Sequence, residues 1–297
     1  MAHTSLGTAP IVLFGTEKQK NKYLPGLASG KKIGAFGLTE PNAGSDAGNT
    51  QTQAVLDGEH YVINGEKSFC TNAGVSSVLI FTAVIIEKDQ EKRISAFVVD
   101  SNTPGISFSP PEKKMGWCAS DTRSIFFKNM RIPKSAVLGN SKKGFKQFLH
   151  TLTSGRITIS ALSIGTAQGA YDKALAYSHE REAFGKSINQ FQGIAFKLAD
   201  MATQIEASRH LVYHAAWIKD QGLPVIKEAA MAKLFASEVA MKVTTEAIQI
   251  FGGYGYIKEY DVERFFRDAK ILEIGEGTSE VQRMIISKEI LKSFQSV

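Results

Sequence analysis

Ile274-Gly275-Glu276-Gly277-Thr278-Ser279-Glu280 sets an acidic residue between two glycines and follows it with two hydroxyl residues. The glycines open backbone conformations closed to other residues and let the chain pass close to a ligand. The carboxylate of Glu276 is therefore expected on an exposed bend. Thr278 or Ser279 then caps a helix carrying the apolar positions Val281, Met284, Ile285 and Ile286. A plainer reading puts Glu276 in the first turn of that helix, where negative charge is favoured. Local chemistry alone favours the plainer reading.

Upstream, the sequence is helical from Gly139 onward. Ile194, Leu198, Met201, Ile205 and Val212 form one stripe of a long helix. Gly222-Leu223-Pro224 ends it and begins an Ala-rich helix running to about Phe251. Segments 261–270 and 278–292 complete a set that predicts a four-helix bundle. From about Ile33 to Gly139 the pattern is different: short β-branched and aromatic runs at 78–86, 94–99, 106–109 and 124–132, separated by turn residues, predict an antiparallel domain. Pro110-Pro111 and Pro133 mark strand ends. Asn64-Gly65, between Tyr61-Val62-Ile63 and the run from Lys67 to Thr71, predicts a hairpin. In residues 1–32, Thr16-Glu17-Lys18-Gln19 has the pattern of a capping box, and Pro25 is expected to stop the helix begun there.

The chain has 297 residues, 43% hydrophobic and 22% charged, enough to bury a core in two domains. Cys70 and Cys118 have no zinc spacing and imply no disulfide framework, which suits a reducing compartment. No apolar run is long enough to span a bilayer, and the start lacks a signal-peptide core. A net charge of +6 suits an anionic ligand or a solvated surface, and no dense basic tract points to nucleic acid.

Gly275-Glu276-Gly277-Thr278-Ser279-Glu280-Val281-Gln282-Arg283 resembles the C-terminal signature of the acyl-CoA dehydrogenase family. Leu38-Thr39-Glu40-Pro41-Asn42-Ala43-Gly44-Ser45-Asp46, Arg181-Glu182-Ala183-Phe184-Gly185-Lys186 and Gln249-Ile250-Phe251-Gly252-Gly253-Tyr254-Gly255 match in the family's order. The resemblance implies an α+β fold: a remnant of an N-terminal helical domain at 1–32, an antiparallel β-barrel-like middle domain at 33–140 for flavin and substrate, and a C-terminal four-helix bundle at 141–297 carrying the base. Full-length relatives carry a complete helical domain ahead of residue 33.

The resemblance assigns residues as well as domains. Gly44 and Ser45 could offer backbone N–H groups and a hydroxyl to a phosphate, though such a run is by itself more often only a turn. In the family the loop matching Phe36 to Asp46 holds FAD, with Phe36, Leu38 and Thr39 at the isoalloxazine and Gly44 and Ser45 at the pyrophosphate. Phe69 and Thr71 match a second flavin-contacting pair, Phe69 standing where many relatives have Trp. Arg181 reads locally as a solvated charge at a helix end. By similarity it joins Phe184, Gln192, Gln249 and Gly253 around the FAD of a neighbouring subunit, which implies a homo-oligomer, a dimer or a dimer of dimers. Thr278 and Glu280 match further cofactor positions.

Arg156 matches an arginine that helps to bind coenzyme A, with Ser45, Thr153 and Gly277 as further substrate positions; the family often has Asp where this chain has Thr153. Some relatives carry the base on the helix containing Ser154, where this chain has no carboxylate, so Glu276 is the only base the motifs supply. Gly275, where many relatives have a bulky aromatic, implies a larger acyl pocket or room for branching.

The expected activity is α,β-dehydrogenation of a saturated acyl-CoA to the trans-2-enoyl-CoA. Glu276 takes the α-proton, the β-hydrogen leaves as hydride to flavin N5, and electrons pass to an electron-transferring flavoprotein. An acyl-CoA oxidase, a nucleic-acid-associated flavoprotein and an inactive fragment of the same fold are the rival readings. The expected setting is cytoplasmic, or the mitochondrial matrix if a presequence has been lost.

Overall fold

The protein was examined as a computed structural model that describes residues 1–86, 93–141 and 143–295. Two compact units emerge, residues 1–114 with 118–152 and residues 115–117 with 153–297.

The first unit begins with a helical turn at Ala2–Leu6, then α1 (Ala9–Phe14) and α2 (Glu17–Ala28). The predicted capping box is present: Gln19 N–H donates to Thr16 Oγ1 at 3.3 Å, and Thr16 N–H donates to Gln19 Oε1 at 3.0 Å. Pro25, however, lies inside α2 and does not stop it. One turn from the end, proline forfeits a single hydrogen bond, which a short continuation tolerates.

Seven strands follow: β1 (Gly34–Gly37), β2 (Gln53–Asp57), β3 (His60–Thr71), β4 (Val78–Ile86), β5 (Arg93–Asp100), β6 (Ile106–Phe108) and β7 (Thr122–Pro133). They form one curled sheet, most of whose pairings are antiparallel as expected. Two are not: β1 and β2 run parallel to β4, sharing one of its edges, while β5 takes the other. Along β4, Val78 and Ile80 enter a core shared with Ile11, Tyr23 and Leu27. Leu79, Phe81, Ala83 and Ile85 enter a second core with Phe97, Phe127 and Ile132. Burial on both faces is why this strand reads as a continuous apolar run.

The hairpin expected at Asn64-Gly65 is absent. β3 runs straight through these residues, with a shift of register to β7 between Ile63 and Gly65. A Cβ on residue 65 would come within 2.7 Å of the Thr52 backbone, so glycine serves a close strand approach there. The turn instead lies at Gly58-Glu59, where Asp57 pairs with His60 and Gly58 takes φ +57°.

The second unit holds most of α3 (Gly144–Glu180), a small hairpin of β8 (Glu182–Ala183) and β9 (Lys186–Ser187), then α4 (Gln192–Asp220), α5 (Ile226–Phe251), α6 (Val262–Ile274) and α7 (Ser279–Gln295). Leu198, Met201, Ile205 and Val212 are buried, as their spacing predicts. α5 packs against α4, α6 and α7. Its buried alanines at 229, 230, 232, 236, 240 and 247 let neighbours approach closely on several sides. No helix among the described residues is long and apolar enough to cross a membrane.

Candidate functional site

Glu276 stands in the connection between α6 and α7. The Gly275 N–H closes α6 onto the Ile271 carbonyl at 2.8 Å, and Gly275 itself has an ordinary φ of −65°. The left-handed residues are Glu276, φ +56°, and Gly277, φ +95°. Glycine's freedom is therefore needed at 277 and not at 275, and the acidic residue carries a conformation uncommon for any side chain. Thr278 caps α7, its Oγ1 accepting from the Val281 N–H at 3.4 Å. Glu276 thus lies outside the helix; the first-turn place that the plainer reading gave it belongs to Glu280.

Although the residue as a whole is partly exposed, both carboxylate oxygens of Glu276 are out of solvent and meet no hydrogen-bond partner among the described residues. They rest on α3 at Gly155, where an added side chain would collide with them. Burial pushes the carboxyl pKa up to about 7, against the pull of the Arg156 and Lys233 charges. Arg156 is only 5% exposed and its Nε has no hydrogen-bond partner among the described residues; burial holds its pKa below the usual value. Thr153 is buried on the same helix, and Ser154 is half-buried. The helix position that meets the Glu276 carboxylate is Gly155, not Ser154.

Beneath the turn, the Gly277 carbonyl accepts from Lys233 Nζ at 2.8 Å and from Gln282 Nε2 at 2.8 Å. Sequence reasoning passed over Lys233 because a lysine in a helix is ordinarily solvated. The signal that marks it is its setting among alanines that are all buried.

In the first unit, β1 leads Phe36, Leu38 and Thr39 toward the loop containing Gly44 and Ser45. Phe36 stacks on Phe148 at 4.3 Å, and Ser68 N–H donates to the Thr39 carbonyl at 2.8 Å, bringing this segment beside Phe69 and Thr71. Phe69 is 70% exposed and sits at φ +55°, in an irregularity of β3 between Lys67 and Cys70. A bulky aromatic held outward in the left-handed region is strain of the kind found where a ring is presented to a ligand. Glu40 and Ala43 exchange backbone hydrogen bonds at 3.1 Å, closing the loop, and Gly44 and Ser45 lie exposed on it.

What fixes the loop is a buried ion pair that sequence reasoning also missed. Lys67 Nζ reaches Glu40 Oε1 at 2.6 Å, Thr82 Oγ1 at 3.0 Å and the Leu38 carbonyl at 3.2 Å. Glu40 also accepts from the Gln51 and Thr52 N–H groups at 2.6 and 3.1 Å. The Glu40 carboxyl is held below its ordinary range: burial raises it, but Lys67 and the backbone donors outweigh that.

A cleft of about 500 Å³ in the second unit is lined by Tyr177, Arg181, Phe251, Gly252, Gly253 and Tyr254 among others. The Arg181 guanidinium lies 5.7 Å from the centre of the Tyr254 ring, without a carboxylate partner among the described residues. Gly252 takes φ +60° with ψ −135°, and side chains added at 252 or 253 would meet nothing. Gln249 sits in the last turn of α5 and Gln192 at the start of α4; neither lines the cleft. Phe184 is at the tip of the β8–β9 hairpin, 96% exposed at φ +53°, its ring 6.0 Å from Phe191. An unpaired guanidinium, bare glycine backbone and presented aromatics fit a flavin dinucleotide, whose phosphates need cations and N–H donors and whose rings need flat apolar faces.

Family models for the N-terminal, middle and C-terminal domains of acyl-CoA dehydrogenases match residues 1–31, 35–130 and 142–291. A probable acyl-CoA dehydrogenase of Bacillus subtilis is 54% identical over 98% of this chain and 77% of its own length. The solved butyryl-CoA dehydrogenase of Megasphaera elsdenii superposes with a TM-score of 0.95 at 48% identity, over 98% of this chain and 76% of that one. A subunit of the caffeyl-CoA reductase–Etf complex of Acetobacterium woodii is 47% identical over 97% of this chain and 76% of its own.

Proposed function

The chain belongs to the acyl-CoA dehydrogenase family, and from that premise we propose that Glu276 is the base that removes the α-proton of a short-chain saturated acyl-CoA. The protein is an FAD-dependent oxidoreductase that converts an acyl-CoA to its trans-2-enoyl-CoA. The observation that carries the assignment of the base is the carboxylate itself, buried, unpartnered and held by a left-handed backbone. A carboxylate satisfied by protein donors would be a poor base, whereas one raised to about 7 is strongly basic for its type and still substantially ionised near neutral pH.

The N–H groups of Glu276 and Gly277 meet no protein acceptor among the described residues. They are suited to the thioester oxygen, where negative charge develops as the α-proton leaves. Bound FAD supplies the two-electron acceptor for the β-hydrogen. We assign Phe36, Leu38, Thr39, Gly44, Ser45, Phe69 and Thr71 to the flavin of the same chain. Arg181, Phe184, Gln192, Gln249 and Gly253 go to that of a second copy, and Thr278 and Glu280 to further cofactor contacts. On this reading the working protein is a homo-oligomer. Thr153, Arg156 and Gly277, with Ser45, are the substrate positions, and an electron-transferring flavoprotein is the acceptor. Two cysteines that imply no disulfide framework, Cys70 and Cys118, and a coenzyme A substrate agree with a cytoplasmic setting.

The test is anaerobic addition of a graded series of saturated acyl-CoAs to the FAD-loaded protein, followed by absorbance. Bleaching strongest with a four-carbon chain, and lost without loss of colour in Glu276→Gln, is the expected result. Undiminished bleaching in that variant overturns the base. The likeness to a reductase subunit favours one second reading, in which the same residues run in the reducing direction and Glu276 delivers a proton to the α-carbon. Rates with an enoyl-CoA and a reduced dye, set against rates with an acyl-CoA and an oxidised dye, separate the two. Oxygen uptake without dye would indicate an oxidase.

A further inference from the structure

Lys233 lies in the middle of α5 with its side chain wholly buried, and so does Gln282 in the first turns of α7. A buried ammonium ordinarily has a carboxylate in contact, because desolvating it alone is very unfavourable. Among the described residues Lys233 forms no such ion pair; its hydrogen bond goes to the Gly277 carbonyl. Gln282 donates to the same oxygen and, at 3.3 Å, to the Glu276 carbonyl. Two buried donors from two helices thus converge on two successive carbonyls of the turn that carries the base.

The turn needs such fixing. Glu276 and Gly277 are both left-handed, and such residues persist only where the surroundings over-determine them. With the two carbonyls drawn inward, the trans peptides aim the Gly277 and Thr278 N–H groups the other way. Neither N–H has a protein acceptor among the described residues. The side chain of Glu276 leaves the same segment to reach Gly155, so any rotation of these peptide planes moves its carboxylate.

We propose that Lys233, together with Gln282, is a positioning residue for the reaction: by holding the Gly277 carbonyl it fixes the turn that presents the Glu276 carboxylate to substrate. The inference rests on Glu276 being the base. A purely structural role would lower stability without touching proton transfer, so the test reads proton transfer alone.

The FAD-loaded protein is given an acyl-CoA with sulfur in place of the β-carbon, which can lose an α-proton but no β-hydride. Exchange of its α-hydrogens with deuterated water is followed by NMR. Wild-type protein is expected to exchange and Glu276→Gln is not; absence of exchange in the wild type would overturn the base assignment and with it this inference, whereas wild-type exchange in the Lys233 variant would overturn this inference alone. Lys233→Met, isosteric and without donors, is expected to slow exchange about tenfold or more at unchanged FAD content, as a small misplacement of a reacting group does. Lys233→Arg restores part of it. Wild-type exchange in a folded, FAD-loaded Lys233→Met protein overturns the proposal. Should Lys233→Met fail to retain FAD, Gln282→Met removes the other donor to the same carbonyl and decides: slowed exchange supports the device, and unchanged exchange overturns it.

Discussion

The carboxylate of Glu276 rests on the backbone of Gly155, so that a methyl group at residue 155 would fall on Oε2. The first prediction follows from that contact. Gly155→Ala gains helix propensity in α3, roughly 0.5–1 kcal/mol, while displacing the carboxylate proposed as the base. The variant is expected to keep its FAD and its folded content and to lose at least about tenfold in kcat, with KM nearly unchanged. Wild-type kcat would show that the carboxylate does not work from this seat.

The raised pKa of Glu276 links activity and stability to pH in opposite directions. Its folded value of about 7 exceeds the ordinary carboxylate value of 4.5, so the charged form is disfavoured in the native state. The penalty is absent below the unfolded pKa, grows as pH rises from about 4.5 to 7, and is complete above that. Glu276→Gln should therefore leave Tm unchanged near pH 4.5 and raise it at pH 8. Over the same interval kcat/KM of the wild type should climb, levelling off above about pH 7. Thermal melts and initial rates across that range check both limbs.

Lys67 and Glu40 make a pair whose halves are worth more together than apart. Lys67→Met leaves a buried carboxylate with two backbone donors and no cation, a loss on the order of 3–5 kcal/mol. Lys67→Met with Glu40→Gln should recover a good part of it. Urea titrations of the two single variants and the double give the coupling, and a strictly additive result would mean that the pair contributes nothing of its own.

Phe184 is expected to show a trade between stability and binding. At φ +53° asparagine is more comfortable than phenylalanine, and the exposed ring leaves little packing to lose. Phe184→Asn should melt at the wild-type temperature or slightly above without FAD, yet release FAD faster on dilution. Equal release rates would remove the ring from the cofactor site.

Much of the architecture was legible because it rests on periodic patterns: the stripe on α4, the alanine run of α5 and the two-faced strand β4 each bury what their sequence says. The Thr16–Gln19 box was legible because both halves of it are local. Asn64-Gly65 misled because a glycine required by a close strand crossing looks the same as one required by a turn. Lys67 and Lys233 were illegible for a related reason: their partners, Glu40 and Gly277, lie 27 and 44 residues away. The acidic motif was found through resemblance. Its physical peculiarity, a charged residue holding the left-handed conformation beside a glycine that does not, required the backbone angles.

The Lys67–Glu40 pair also bears on how the molecule comes apart. Opening the loop from residue 40 to residue 52 would take the carboxylate from a buried ammonium and leave it only the Thr82 hydroxyl and the Leu38 carbonyl, so fraying of the loop by itself is costly. The Gln51 and Thr52 amides, anchored on the same carboxylate, belong to the cooperative unit of the sheet and should exchange their hydrogens only when that unit melts. A surface loop of glycine, serine and asparagine is thereby tied at both ends to the buried side of the sheet.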